Sequence, residues 1–127
     1  MGDIIKKFKV KSIRSYITSC YFDNGSLYSF IRESIAKKLG GLMKLPKPYM
    51  FFGLGNGKFK SNYVIHLFIQ IKGVWCPNIL YVVNDNVIDN DIILGHGFFQ
   101  AFNIRLNPRK RDIIVSKKEL LYSQKVR

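Results

Sequence analysis

An acidic residue at the end of an apolar run is the first feature of this sequence that could support catalysis. Asp23 follows an apolar run that ends at Phe22, and it precedes Asn24 and Gly25. Burial disfavours the charged form of a carboxyl group, so an acid in this position either accepts hydrogen bonds or holds a proton. Both states serve general acid and base catalysis. The alternative is an ordinary turn acid between a strand and a helix.

Two further segments place glycines beside apolar residues. The first predicts a flexible hairpin tip and consists of Gly53, Leu54, Gly55, Asn56 and Gly57. The second is a short apolar run that ends in glycine, and it consists of Ile92, Ile93, Leu94 and Gly95. A helix-like spacing of aromatic residues follows it. Each segment alone is a weak signal, because such short patterns recur by chance.

In this order, the three segments resemble the retropepsin-like aspartic proteases, the retroviral proteases and their cellular relatives. The family motif Asp-Thr/Ser-Gly, followed by Ala or Ser, matches Asp23-Asn24-Gly25-Ser26, and the glycine hairpin stands where the family has its flap. The resemblance implies an all-β, closed barrel-like acid protease fold with one lobe per chain. It implies catalytic positions at Asp23, Asn24 and Gly25. It also implies substrate-binding positions at Gly53, Leu54, Gly55, Asn56, Gly57, Ile92, Ile93, Leu94 and Gly95.

One position departs from the family motif. Asn24 stands where the family has a hydroxyl residue that bonds across the dimer interface and makes both active-site loops rigid. An amide also donates and accepts hydrogen bonds. The substitution therefore fits either a changed geometry with activity kept or a chain that has lost activity.

A single Asp-X-Gly motif requires a second copy of the chain to form a carboxylate pair, and a two-fold axis through the site supplies one. Two carboxylates about 3 Å apart repel by roughly 5 to 6 kcal/mol at an effective dielectric of about 20, so the pair shares a proton. One oxygen then takes a proton from water while the protonated partner bonds the scissile carbonyl. The expected protein is a homodimeric aspartic endopeptidase acting on an extended peptide, with no metal and no cofactor.

The charge of the chain allows a second kind of partner. It has 21 Lys and Arg against 8 Asp and Glu, a net charge of +13, which is typical of proteins that meet nucleic acid or anionic surfaces. The basic residues are spread along the sequence, which favours a solvated surface, so nucleic acid is possible but not favoured.

Cysteines, histidines and the N-terminus indicate little further chemistry. Cys20 and Cys76 are too few for a disulfide framework and are expected to be buried thiols. His66 and His96 lack a ligand set for zinc. Neither a signal core nor a run of roughly 20 apolar residues is present, which predicts a cytoplasmic protein without a membrane span.

The elements that must position these residues are mostly short strands. The pattern predicts strands near 7–11, 16–22, 49–52, 58–71, 92–94 and 112–115, and a strand over 74–83 broken by Pro77. It predicts a helix from Phe30 or Ile31 to Leu39, a loop from Leu42 to Pro48, and a second helix after Gly95 that Asn107-Pro108 closes. One domain over residues 1–127 is expected.

Three functional hypotheses remain open at this point. The first is the homodimeric aspartic endopeptidase. The second keeps the fold and the dimer but loses catalysis through Asn24, leaving a peptide-binding or scaffold module. The third is a small basic β-barrel that binds single-stranded nucleic acid through aromatic and lysine side chains.

Overall fold

The computed structural model describes residues 3–53 and 57–125, and within them strands predominate. The strands are β1 (Ile5–Lys11), β2 (Ser15–Phe22), β3 (Phe30–Arg32), β4 (Met43–Phe52), β5 (Lys58–Ile71), β6 (Val74–Val83), β7 (Ile92–Leu94), β8 (Arg105–Asn107) and β9 (Asp112–Ile114). The helices are α1 (Glu33–Leu39), α2 (His96–Ala101) and α3 (Lys117–Lys125).

Six strands close into a barrel. The sheet runs in the order β1-β2-β7-β3-β6-β5-β4, and pairing of β1 with β5 joins its sides. Val10 pairs with Ile69 at that closure. β8 and β9 form a separate hairpin. The all-β barrel predicted from the sequence is therefore confirmed, with α3 as a third short helix beyond the two expected.

The barrel interior follows from the alternation along β5. Ile65, Leu67 and Ile69 are fully buried, while His66 between them faces solvent. A period of two places alternate residues on opposite faces of a strand, which is why this element was predictable. Cys20 and Cys76 lie in the same interior as free thiols, as expected.

The predicted loop over 42–48 is wrong, because β4 already begins at Met43. Pro46 and Pro48 are tolerated because β4 is an edge strand whose register with β5 shifts between Lys44 and Tyr49. An edge strand leaves one row of backbone groups unpaired, so a missing N–H there breaks no ladder bond.

Three other boundaries also differ from the prediction. The predicted second helix was closed at Asn107-Pro108, but α2 ends at Ala101 and β8 covers Arg105–Asn107. Phe30 and Ile31 form the short buried strand β3 and not the first turn of α1. β6 continues through Pro77, because β3 pairs with β6 only at Tyr81–Val83 and one edge of β6 is unpaired at the proline. No helix within the described residues is long and apolar enough to cross a bilayer.

Candidate active site

The backbone holds Asp23 at the end of β2. Its N–H donates to the carbonyl oxygen of Leu94 at 3.0 Å, and the N–H of Gly25 donates to its Oδ1 at 3.0 Å. The side chain is half-buried. A carboxylate with one fixed donor and partial exposure can accept a further hydrogen bond from water or a partner.

Tyr21 lies close enough to Asp23 for the charge of the carboxylate to affect the pKa of the phenol. Burial raises the pKa of Tyr21, and the negative charges of Asp23 and Asp3 raise it further. The Tyr21 hydroxyl donates to Oδ1 of Asp3 at 3.2 Å. The phenol therefore stays protonated at neutral pH and remains a hydrogen-bond donor beside the Asp23 loop.

β7 lies between the strand that enters the Asp23 loop and the strand that leaves it. Phe22 on β2 pairs in parallel with Leu94, and Phe30 on β3 pairs antiparallel with Ile93. Ile92, Ile93 and Leu94 are all buried. The structure thus places these predicted residues beneath the loop, and their role in binding substrate stays a prediction.

Gly95 ties β7 to the loop after Asp23. Its N–H donates to the buried Ser29 hydroxyl at 3.0 Å, and the next N–H, of His96, donates to the carbonyl oxygen of Ser26 at 2.7 Å. A Cβ at position 95 would overlap the carbonyl oxygen of Tyr28 and lie 2.7 Å from that of Ser26. Only glycine permits this close backbone approach.

Asn24 finds a partner within its own chain. Its Oδ1 lies 3.1 Å from Nδ1 of His96, which donates if that nitrogen carries the proton. The contact links the Asp23 loop to the first residue of α2. Sequence reasoning treated His96 only as an isolated histidine, since residues this far apart in sequence show no common pattern.

An open cavity of about 540 Å³ extends from the Asp23 loop to the base of the glycine hairpin. Its lining is mostly apolar and comprises Gly25, Ser26, Leu27, Tyr28, Phe30, Tyr49, Met50, Phe51, Phe52, Gly53 and Phe59. The volume lies within the usual range of small-ligand and side-chain pockets, roughly 300 to 1,000 Å³.

The base of the hairpin is fixed at its two outer glycines. Gly53 donates its N–H to the carbonyl oxygen of Gly57 at 3.2 Å, and both have positive φ, 97° and 94°. The predicted binding residues Leu54, Gly55 and Asn56 lie outside the described residues. Gly53 lines the cavity, so the described part of the hairpin stands at its edge.

A cluster of aromatic rings forms one wall of the cavity. Phe51 contacts five other rings, with centroids 4.7 to 5.3 Å away, and these rings belong to Tyr28, Phe30, Tyr49, Phe59 and Tyr81. The hydroxyls of Tyr28 and Tyr49 lie 3.2 Å apart. Sequence reasoning missed this wall, although the alternation of Tyr49 and Phe51 along β4 was a usable signal.

Asp91 and the two histidines do not form a metal site within the described residues. Asp91 accepts a hydrogen bond from Thr18 at 2.7 Å and lies 3.7 Å from the Arg32 guanidinium, contacts typical of a structural acid. Within residues 3–53 and 57–125, no group of three or more His, Cys, Asp or Glu side chains is placed to hold a metal ion.

A closed six-stranded barrel with an Asp-X-Gly loop seated on an inserted strand is the retropepsin-like fold. Comparison with known structures supports this directly. The chain superposes on the retroviral protease-like domain of Ddi1 from Leishmania major with a TM-score of 0.62 and 16% identity, covering 87% of each chain. It superposes on EIAV protease in an inhibitor complex with a TM-score of 0.61 and 16% identity, covering 84% of this chain and 93% of that one. No family model and no curated protein matches the sequence.

Proposed function

We propose that the chain is a single retropepsin-like aspartic protease domain, and that it acts as a homodimeric endopeptidase. The observation that carries the proposal is the half-buried Asp23, whose carboxylate accepts the Gly25 N–H and whose own N–H donates to Leu94, next to an apolar cavity of about 540 Å³. Proteins of similar fold include EIAV protease in complex with an inhibitor. A fold alone does not define an activity, so the argument depends on the site.

The pair of acids would come from two copies of the chain. A two-fold axis beside the loop would bring one Asp23 against the other, and their repulsion would make the pair share one proton. The ionised oxygen would take a proton from water as the water attacks the peptide carbonyl. The protonated partner would donate a hydrogen bond to that carbonyl oxygen. The Gly25 N–H would hold the carboxylate in place during the transfer.

The substrate would lie extended across the cavity beneath the hairpin, with its apolar side chains in the cavity. The aromatic wall supplies apolar contact surface, and two exposed side chains at the cavity, Leu27 and Phe52, are 67% and 71% exposed. Exposed apolar residues that adjoin one cavity are typical of a binding surface. The backbone of Gly53 would bond the main chain of the peptide in the manner of an added strand.

The test is a peptide-cleavage assay over a range of pH with Asp23→Asn. We expect the variant to lose activity by roughly 1,000-fold, since general acid–base groups contribute about 10²- to 10⁴-fold. Asp89→Asn, the same change at an exposed turn, is the matched control and should cleave like the wild type. Equal cleavage by Asp23→Asn and the wild type would reject the mechanism. Sedimentation at the assay concentration should show a dimer.

A second candidate function rests on Asn24. Because its Oδ1 contacts His96 in the same chain, this oxygen is already engaged before a partner arrives. The alternative is a dimeric peptide-binding module with impaired catalysis. In that case the wild type binds apolar peptides without cleaving them, and Asn24→Thr restores cleavage. If Asn24→Thr binds but remains inactive, loss through Asn24 is not the explanation.

A further inference from the structure

The outer face of β1, β5 and β6 carries lysines and aromatic rings side by side. Six residues define what we call the basic sheet face: Lys7, Lys9, Lys11, His66, Phe68 and Trp75. The three lysines and His66 are exposed, and the Phe68 and Trp75 rings are half-buried. On β1, Phe8 and Val10 pack inward, so the alternate lysines must point outward.

Lys11 and the two rings are neighbours in space. Lys11 pairs with Phe68 across the barrel closure, and its Nζ lies 4.5 Å from the Trp75 ring centroid and 5.9 Å from that of Phe68. The rings of His66 and Phe68 lie 5.0 Å apart. A cation within about 6 Å of a ring face is attracted to it, which keeps Lys11 over the rings.

The surrounding strands themselves contain no acidic residue, and the acids that contact β1 and β2 come from other segments, including Asp112 at Lys6 and Asp91 at Ser19. The segments Ile5–Lys11, Ser15–Phe22, Lys58–Ile71 and Val74–Val83 all lack Asp and Glu. The whole chain carries a net charge of +13. A surface of one sign on an already basic protein attracts polyanions and raises their rate of association.

We propose that the basic sheet face binds single-stranded nucleic acid. Lys7 and Lys9 would contact phosphates. Lys11 would move from the rings to a phosphate, and unpaired bases would take its place over Phe68 and Trp75. Proteins that bind single strands without sequence preference combine these two features, a positive groove and aromatic platforms. The rings are half-buried in the sheet and do not project from it, which suits flat bases better than insertion into lipid.

This surface is separate from the Asp23 site. Lys11 pairs with Ser15 at the start of β2, whereas Asp23 follows the other end of the same strand. At about 3.3 Å per strand residue, Lys11 lies roughly 26 Å from Asp23, and Lys7, which pairs with Ser19, lies roughly 13 Å from it. Bound nucleic acid would therefore leave the proposed peptide cavity open, and the proposal does not depend on protease activity.

The test uses the full chain carrying Asp23→Asn and a labelled oligo-dT of about 12 nucleotides, within the usual site size. Trp75 is the one tryptophan of the sequence, so its fluorescence reports stacking directly. We expect quenching on binding and affinity that falls with salt. The triple change Lys7→Gln, Lys9→Gln and Lys11→Gln should weaken binding at least tenfold and reduce the salt slope by about 2, since each phosphate contact contributes about 0.7.

Phe68→Ala and a charge-matched control separate stacking from attraction by charge alone. Phe68→Ala should weaken binding by roughly 5- to 100-fold with the salt slope unchanged. The control replaces three exposed cations with glutamine at Arg109, Lys110 and Arg111, and it should change affinity less than threefold.

Three results would overturn the proposal. The first is an oligonucleotide that leaves Trp75 fluorescence unchanged. The second is a control triple that weakens binding as much as the β1 triple does. The third is inorganic polyphosphate or phosphatidylserine vesicles quenching Trp75 as strongly as the oligonucleotide, because neither has bases to stack. Each readout is independent of peptide cleavage, so a failed protease assay would leave it unaffected.

Discussion

Replacing Gly95 with alanine tests whether β7 positions the Asp23 loop. Gly95 has φ −99° and ψ −170°, a conformation that alanine adopts, so the cost arises from contact alone. The new Cβ would lie 2.7 Å from the Ser26 carbonyl oxygen, against an ordinary contact of 3.4 Å or more, and would overlap that of Tyr28. The loop must therefore move by at least about 0.7 Å, the difference between those two distances.

The expected cost lies at the upper end for overpacking, about 3 kcal/mol, because backbone atoms and not flexible side-chain ends are displaced. For 127 residues, 1 kcal/mol corresponds to about 4 °C in Tm, so a fall of roughly 12 °C is expected. Peptide cleavage at a temperature where the variant is folded should fall by about 10- to 100-fold, since displacements near 1 Å have effects of this size.

Gly97→Ala is the matched control. Gly97 lies in α2 with open space around its Cα, so alanine there should raise stability by up to about 1 kcal/mol and leave cleavage unchanged. Both variants and the wild type would be compared by thermal unfolding at one protein concentration, because the proposed dimerisation would make Tm concentration-dependent. A Gly95→Ala protein that melts and cleaves like the wild type would refute the reasoning.

Three more perturbations have defined outcomes. Phe51→Ala should lower the free energy of unfolding in urea by about 3 to 5 kcal/mol, because Phe51 is buried among aromatic rings. Phe52→Ala, at the exposed neighbouring position, should change it by no more than about 0.5 kcal/mol, and equal losses in the two variants would contradict this packing. Cys20 is buried, and burial raises the pKa of its thiol, so peptide mapping should find it unmodified by a thiol reagent until the protein unfolds; rapid labelling of the native protein would contradict this. The hydrogen bond from Lys6 lowers the pKa of Asp112, so the stabilising effect of this pair is present at neutral pH and is lost as the pH falls through the lowered pKa. Asp112→Asn should therefore show a smaller decline in Tm between about pH 5 and pH 2 than the wild type. Parallel curves of Tm against pH for the two proteins would show that the pair contributes nothing.

The sequence predicted the elements whose pattern is long or chemically distinctive. β5 alternates over many residues, and α1 has Glu33 in its first turn, lysines in its last and Gly40 after it, so both were identified. The Asp23 motif was visible because acid, amide and glycine are adjacent in sequence. The placement of Gly95 against Tyr28 and the contact between Asn24 and His96 depend on tertiary approach, which no local pattern encodes.

The missed elements are short or depend on their neighbours. β3 has three residues, too few for a period of two to be distinguished from a helical turn. The second half of β4 was predicted as a strand, but residues 43–48 contain both prolines and were predicted as a loop, because the sequence does not reveal that β4 would be an edge strand. The tail helix α3 is held by Leu120, which is fully buried, but one apolar anchor in a basic segment gives little periodic signal.

Because β7 lies between β2 and β3 in the sheet, the Asp23 site can form only after β7 has been synthesised. Phe22 and Leu94 are paired partners separated by 72 positions, so the strand that supports Asp23 is absent until Leu94 has been synthesised. Pairing across so long a loop is slow, because closure entropy must be overcome first. A nascent or truncated chain that ends before Ile92 would thus contain Asp23 without the strand that supports it. Any hydrolytic activity would be confined to chains that include β7.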